Sequence, residues 1–262
     1  MITYIIICFV SIIVSALTMF SGFGLGTILM PVFAIFFPLP IAIAATALVH
    51  LANNIFKVIL VGKKADWNAV LKFALPGSLA AIAGAWLLNT LSAIPPFLEY
   101  SIFNKIFNVN IVHLVIGIII IVFAIFELIP KFQKISFDRK YLPIGGIISG
   151  FFGGLSGNQG ALRTAFLIKS GLSKEAFIGT GTVSAVIVDI ARLLVYGISF
   201  YVLKFTTISK DMYGLIFASI IFAFLGSFIG LRLIKKITYR TIQIAVGIML
   251  IIIGVLLASA II

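Results

Sequence analysis

Eight apolar runs, at roughly 4–37, 40–62, 68–89, 111–129, 142–170, 174–203, 212–234 and 240–262, take up nearly all of the 262 residues. About 20 apolar residues suffice for a helix to cross a ~30 Å hydrocarbon layer, so each run is long enough to span a bilayer. The expected fold is therefore all-α, a polytopic membrane protein of about eight transmembrane helices, with nothing left over for a soluble domain. Composition agrees: 62% of residues are hydrophobic and 10% charged, against about 25% charged in ordinary soluble domains.

The formal charge of +12 would point to nucleic acid in a soluble protein. Here Lys and Arg lie mostly in short loops, where positive charge sets membrane topology, and nucleic acid is discarded as a partner. The loop carrying Lys131, Lys134, Arg139 and Lys140 and the loop carrying Arg232, Lys235, Lys236 and Arg240 pull toward opposite parities, so charge leaves the orientation open. Lys57 is the first basic residue, so the positive region of a cleaved signal peptide is missing and 4–20 is expected to remain as a span. Cys8 is the single cysteine, which excludes an intrachain disulfide and a cysteine-based metal cluster. No G-x-x-x-x-G-K-[ST] loop is present, so ATP hydrolysis by that route is excluded. No metal, cofactor or catalytic residue is expected.

Sliding the chain against itself by 135 residues places Ser21-Gly22 on Ser156-Gly157, Asn54 on Asp189, Lys57 on Arg192 and Gly62 on Gly197 without a gap. Ala80-x-x-x-Gly84 resembles Gly226-x-x-x-Gly230, a spacing that lets helices pack closely. The expectation is two repeats, 1–130 and 131–262, with substrate held where the halves meet and where helices are interrupted. Four crossing spans per half would make the repeats parallel. A re-entrant glycine break, giving an odd count, would make them inverted.

The first run of each half carries a glycine-rich centre: SGFGLG at 21–26 and GGLSGNQG at 153–160. Glycine costs about 1 kcal/mol relative to Ala inside a helix, and unwound backbone at membrane depth survives only when buried in protein or facing a cavity. The first helix of each half is thus expected to break. Gly22, Gly24, Ser156, Gly157, Asn158, Gln159 and Gly160 are candidate substrate contacts there, and Arg163 falls in the first turn of the next half-helix, where N–H groups favour an anion.

A polar stripe follows on the second span of each half. His50, Asn53 or Asn54, and Lys57 are spaced by three and four, on one helix face, and Asp189, Arg192 and Tyr196 repeat the geometry. A cation at a helix centre costs about 2.5–3.5 kcal/mol on insertion scales, so such residues face a protein interior or cavity. Asn54, Lys57 and Arg192 join the substrate candidates, and His50 and Asp189 are candidate proton carriers. Two alternatives stay open: Asp189 pairing with Arg192, and Lys57 reaching out to the interface. His113 and Glu127, near span ends, are expected at the interface.

GFGLGTILMP at 22–31 and GGLSGNQGALRTAFL at 153–167, in a two-halved chain of this length, resemble the sulfite exporter TauE/SafE family of bacterial and archaeal membrane proteins. The chain departs from the family's glycine runs at Leu25 and at Asn158-Gln159. The resemblance implies a multi-pass protein of a prokaryotic inner membrane that moves small sulfur-containing anions such as sulfite, sulfonates or sulfoacetate. Its partners would be that anion, the lipid bilayer and, as a further expectation, a second copy of the chain.

A passive anion channel is the nearer rival, and saturable counterflow separates the two. GLSG at 154–157 matches the G-x-S-G of rhomboid-type intramembrane proteases, which would make the protein a serine hydrolase. Such a protease takes its activating His from a later span, whereas His50 and His113 both precede Ser156. Energetics favour export: with the interior negative, moving one negative charge outward gains about 2.3 kcal/mol per 100 mV.

Overall fold

The structure, a computed structural model, describes residues 2–21, 25–102, 104–133, 135–202, 210–233 and 239–262. They form α1 (Ile2–Ser21), α2 (Leu25–Ala34), α3 (Leu39–Val61), α4 (Trp67–Ser92), α5 (Ile111–Leu128), α6 (Pro130–Gln133), α7 (Leu142–Ser156), α8 (Gly160–Leu167), α9 (Lys174–Val202), α10 (Lys210–Leu233) and α11 (Tyr239–Ala258). A short antiparallel hairpin, β1 (Leu98–Ile102) and β2 (Lys105–Val109), sits between α4 and α5. The Tyr100 hydroxyl donates to the Ser259 carbonyl and fastens the hairpin to the end of α11. Among the described residues four helices are long and apolar enough to cross a membrane: 39–64, 67–92, 174–198 and 212–230. The protein is a multi-pass, helical membrane protein.

Side-chain size decides which way each helix turns. On α4 the large residues Leu71, Leu75, Leu79, Ile82 and Trp86 form one exposed stripe, while Ala74, Gly77, Ala81, Gly84 and Ala85 are buried. Lipid solvates the large apolar groups as well as protein would, so close backbone contact between small residues is what selects the inner face. α7 supplies the matching face. A Cβ on Gly146, Gly150 or Gly154 would overlap the carbonyl oxygens of Phe73, Gly77 and Ala81 in turn. α10 meets α1 in the same manner, with Gly226 and Gly230 against the Ile12 and Ala16 carbonyls.

The helix directions follow from these contacts. α4 and α7 run parallel, since 73, 77 and 81 meet 146, 150 and 154, and α1 and α10 run parallel, since 12 and 16 meet 226 and 230. α3 and α9, which the 135-residue offset aligns, run antiparallel: His50 meets Asp189, while Val61 and Ala65 meet Gly179. α5 and α11 are also antiparallel, Gly117 lying against Gly254 and Ala258 and Leu128 against Gly247.

The run 142–170 does not cross from one side to the other. Gly157 adopts φ 80° after α7, a left-handed conformation that glycine takes without strain. The chain turns back there: Ser149 Oγ donates to the Gln159 carbonyl at 2.9 Å, and the Phe166 ring lies where a Cβ on Gly145 would be. α7 and α8 therefore form a re-entrant helical hairpin. Gly22 and Gly24 lie outside the described residues, but a Cβ on the neighbouring Gly26 would come within 2.7 Å of the Gly157 carbonyl oxygen. The two glycine clusters therefore meet.

One end of the hairpin is pinned by polar contacts. Asp66 caps α4, accepting from the Ala69 N–H at 3.0 Å, and pairs with Arg139 at 2.6 Å. The Ala69 N–H and then Arg139 hold its carboxyl below the usual carboxylate range. Arg139 also donates to the Ser170 carbonyl at 3.4 Å, and Phe137 stacks on Phe166 with centroids 4.2 Å apart.

Gly150→Ala is expected to destabilise the protein by about 1–3 kcal/mol, because backbone rather than a flexible side chain occupies the new Cβ position. Gly197→Ala, whose Cβ meets nothing within 4 Å, should be neutral or slightly stabilising. Thermal unfolding of the purified protein in detergent checks both; equal melting temperatures would refute the packing account.

Candidate functional site

Asp189, on α9, is fully buried and collects donors from three elements. Its Oδ1 accepts from Arg192 Nε at 3.0 Å and Nη2 at 2.7 Å, and from Gln159 Nε2 at 2.9 Å. Its Oδ2 lies 2.6 Å from His50 Nδ1 and 3.4 Å from Asn54 Nδ2. Asn54 and Asp189 are counterparts under the 135-residue offset, and they touch one another.

Arg192 faces two ways. Besides Asp189, it donates through Nη1 to the Gly153 carbonyl at 3.0 Å, and one turn further along α9 the Tyr196 hydroxyl donates to the Gly154 carbonyl. α7 ends at Ser156, so these are carbonyls of its last turn and carry the negative end of the helix dipole; Gly153 also accepts from the Gly157 N–H at 3.0 Å. A guanidinium and a phenol placed there by α9 hold the break open. The pairing of Arg192 with Asp189 is the arrangement present, and Arg192 is 0% exposed.

Beside this network lies a cavity of about 30 Å³ lined by Thr18, His50, Asn54, Lys57, Arg163 and Thr182, among others. A water needs about 10–15 Å³ by this measure, so the space suits a small ion or two waters. Lys57 does not reach the interface: it is 6% exposed and donates to Thr18 Oγ1 at 3.3 Å. Arg163 enters from the first turn of α8, is 5% exposed, and has its Nε 3.7 Å from where a Cβ on Gly181 would stand. Glycine at 181 thus makes room for the guanidinium. Among the described residues, Lys57, Arg163 and Arg192 are three basic side chains in one buried region that holds a single carboxylate, Asp189.

The sequence expectation centred the site on the glycine break itself. The structure separates the two in the second half, whereas Leu25 of the first glycine cluster lines the cavity. Ser156, Gly157, Asn158, Gln159 and Gly160 are buried at the break but do not line the cavity, which instead runs along the α8 face bearing Arg163, Thr164 and Leu167. Side chains, rather than the N–H groups at the start of α8, therefore supply the positive charge. Ser156 Oγ donates to the Phe152 carbonyl at 2.9 Å and accepts from the Asn158 N–H at 3.4 Å, an arrangement that ends a helix rather than activating a nucleophile. Asn158 is 3% exposed, and its side-chain amide has no hydrogen-bond partner among the described residues. Asn53 accepts from Ser227 at 2.7 Å and ties α3 to α10. His113 lies outside this site, half-buried in a separate apolar pocket with Phe36 and Phe37, and the Glu127 side chain lies outside the described residues.

Thr18, Thr164 and Thr182 were not singled out in the sequence. A signal for one existed: Thr182, Asp189 and Tyr196 recur every seven residues, which keeps them on one face of α9 just as His50 and Lys57 share a face of α3. Nothing local marks Thr18 or Thr164, because apolar helices often carry a Thr bonded to its own backbone.

Residues 7–257 of the chain match the family model described as Sulfite exporter TauE/SafE. No curated protein and no solved structure matches it.

Arg192→Met should destabilise the fold by about 3–5 kcal/mol, because it leaves the Asp189 carboxylate buried without its fork. The double variant Asp189→Leu with Arg192→Met should recover part of that loss, since a buried pair replaced by apolar groups is often tolerated. Detergent melting curves of the wild type, both single variants and the double variant read the coupling; additive effects would contradict it.

Proposed function

The chain belongs to the TauE/SafE family of sulfite exporters, and on that premise we propose that it is a secondary transporter exporting small sulfur-containing anions such as sulfite, sulfonates or sulfoacetate across a prokaryotic inner membrane. The observation that carries this reading is the balance of groups: among the described residues three basic side chains, Lys57, Arg163 and Arg192, lie buried in one region with a single carboxylate, Asp189. Charge at membrane depth is costly, and an anion entering the cavity lowers that cost. The small cavity suits a compact oxyanion, and the planar guanidinium of Arg163 matches two oxygens at once. Lys57 adds a point charge across the cavity, while Arg192, committed to Asp189 and Gly153, shapes the field from behind.

The helix pairings support two repeats, 1–130 and 131–262, of inverted topology. Helices that correspond under the offset run antiparallel, as α3 with α9 and α5 with α11, and the parallel pair α4 with α7 has its reciprocal in α10 with α1. The two halves do not contribute equivalent positions to the cavity. The cavity wall includes Thr164, Leu167, Phe177, Ile178, Gly181 and Thr182, whereas their counterparts Leu29, Val32, Ala42, Ile43, Thr46 and Ala47 are all 0–5% exposed. Thr18, Leu25, His50, Asn54 and Lys57 of the first half complete the wall, so the cavity lies where the halves meet, the place where carriers that alternate hold their substrate. Exchanging the two packings would move the opening to the opposite side.

Sulfite, methanesulfonate and sulfate flux into proteoliposomes tests the reading. Saturable uptake stimulated by the same anion on the far side is expected, and flux that rises linearly with concentration without counterflow would indicate a channel instead. Arg163→Met should nearly abolish flux at matched protein amounts. Arg163→Lys keeps the charge but loses the fork, and should lower flux about tenfold or more, the weight of a charge-assisted hydrogen bond. Normal transport by Arg163→Met would remove Arg163 from the site.

A further inference from the structure

We infer that His50, oriented by Asp189, takes up a proton together with the transported anion, so that the carrier is a proton–anion symporter. The inference rests on the transport reading above and deepens it by naming the coupled ion.

His50 lines the cavity alongside Lys57 and Arg163 and is 8% exposed. Imidazole is the side chain whose ordinary titration falls near neutral pH, and no other residue lining this cavity is of that kind. The two oxygens of Asp189 divide their work. Oδ1 holds Arg192 and Gln159, and Oδ2 faces His50 and Asn54. His50 thus has a carboxylate oxygen that Arg192 does not occupy. With the Nδ1 proton on the Asp189 side, Nε2, which lies 3.3 Å from the Asn54 side-chain amide, is the nitrogen that gains and loses the coupled proton, and Asn54 turns its oxygen to the protonated form.

The charges that reach His50 are Asp189 and Arg192 from α9 and Arg163 from α8. Lys57 stands two turns further along its own helix, and Tyr196 follows Arg192 on α9. Neither α1 nor α2 contains a charged residue, and Arg232 of α10 lies over the Phe228 ring. An imidazolium here is stabilised by Asp189 and opposed by the cations across the cavity. An anion seated between those cations offsets their opposition. Binding free energies are reciprocal, so the anion promotes protonation of His50 and the proton promotes anion binding. The 135-residue counterpart of His50 is Ala185, so each chain carries one such proton.

Paired with a monoanion, the proton makes the cycle electroneutral; an outside-acidic gradient then drives it inward, and export runs only where the anion's own outward concentration gradient exceeds that pull. Paired with a dianion, it leaves one negative charge moving, and an interior-negative potential still favours export.

The test uses the full chain in proteoliposomes with the membrane potential clamped to zero and radiolabelled methanesulfonate, which has no titratable proton in the neutral range. Wild type should exchange methanesulfonate without a gradient and, under a pH gradient of one unit, accumulate it about tenfold on the alkaline side. Detergent-solubilised wild type should also take up about one proton per anion bound, read with a pH-indicator dye; linkage of this kind requires it. His50→Gln, which retains a hydrogen-bonding side chain, should lose the pH-driven accumulation and the proton uptake while exchange remains measurable. Wild-type exchange without accumulation or proton uptake would overturn the inference and leave the transport reading standing. Unchanged coupling in His50→Gln would also overturn it. Absence of exchange for both methanesulfonate and sulfite in the wild type would sink the transport reading itself. If His50→Gln fails to fold, the wild-type proton uptake alone decides.

Discussion

The Asp189 carboxylate is the group on which the interior of this protein depends. Alone at membrane depth it would be prohibitively costly. It is tolerated because α3 brings His50 and Asn54, α9 brings Arg192, and the turn after α7 brings Gln159. Those donors must converge on two oxygens, which fixes how α3, α9 and the α7–α8 hairpin sit relative to one another. Apolar contacts alone would not, since lipid competes equally for large hydrophobic side chains.

The glycine break is held by the same network. A helix that stops at Ser156 leaves carbonyls of its last turn in need of donors, and in hydrocarbon water cannot supply them. Tyr196 supplies one at Gly154, and Arg192 adds a second to Gly153, whose carbonyl also accepts from the Gly157 N–H. Arg192 therefore couples two problems, a buried carboxylate and an interrupted helix, and the solution of each supports the other. Its charge is spent on architecture, which leaves Lys57 and Arg163 at the cavity to meet a substrate.

Close backbone packing makes a re-entrant hairpin compatible with a membrane fold. Gly146, Gly150 and Gly154 let α7 lie against α4 with no side chains between them, so its small-residue face is covered, while Ile144, Ile147 and Ile148 stay exposed on the other. The antiparallel α3 and α9 then bring the two polar stripes face to face, and the cavity forms between these stripes and α8. Under the proposed transport function, basic side chains in so small a space select for charge and compactness before any finer feature of the ligand.

By itself the sequence determined that the chain is a helical membrane protein, because eight long apolar runs admit little else. It also marked where the helices weaken, through the glycine clusters, and which buried cations matter, because charge is rare in such runs. The 135-residue offset was legible in Lys57 and Arg192, and so was the spacing that lets Asp189 pair with Arg192, three residues apart on one helix. Only the tertiary structure decided that the chain turns back after Gly157, that α3 and α9 run antiparallel, and that His50 lies against Asp189, 139 residues away. It also moved the cavity from the second half's glycine break to the α8 face and recruited Thr18, Thr164 and Thr182. The physical reason is range: insertion cost and helix propensity act on each segment alone and are written in its residues. Helix direction, the sharing of one carboxylate among donors on separate elements, and the shape of the space left between them exist only once those segments pack together.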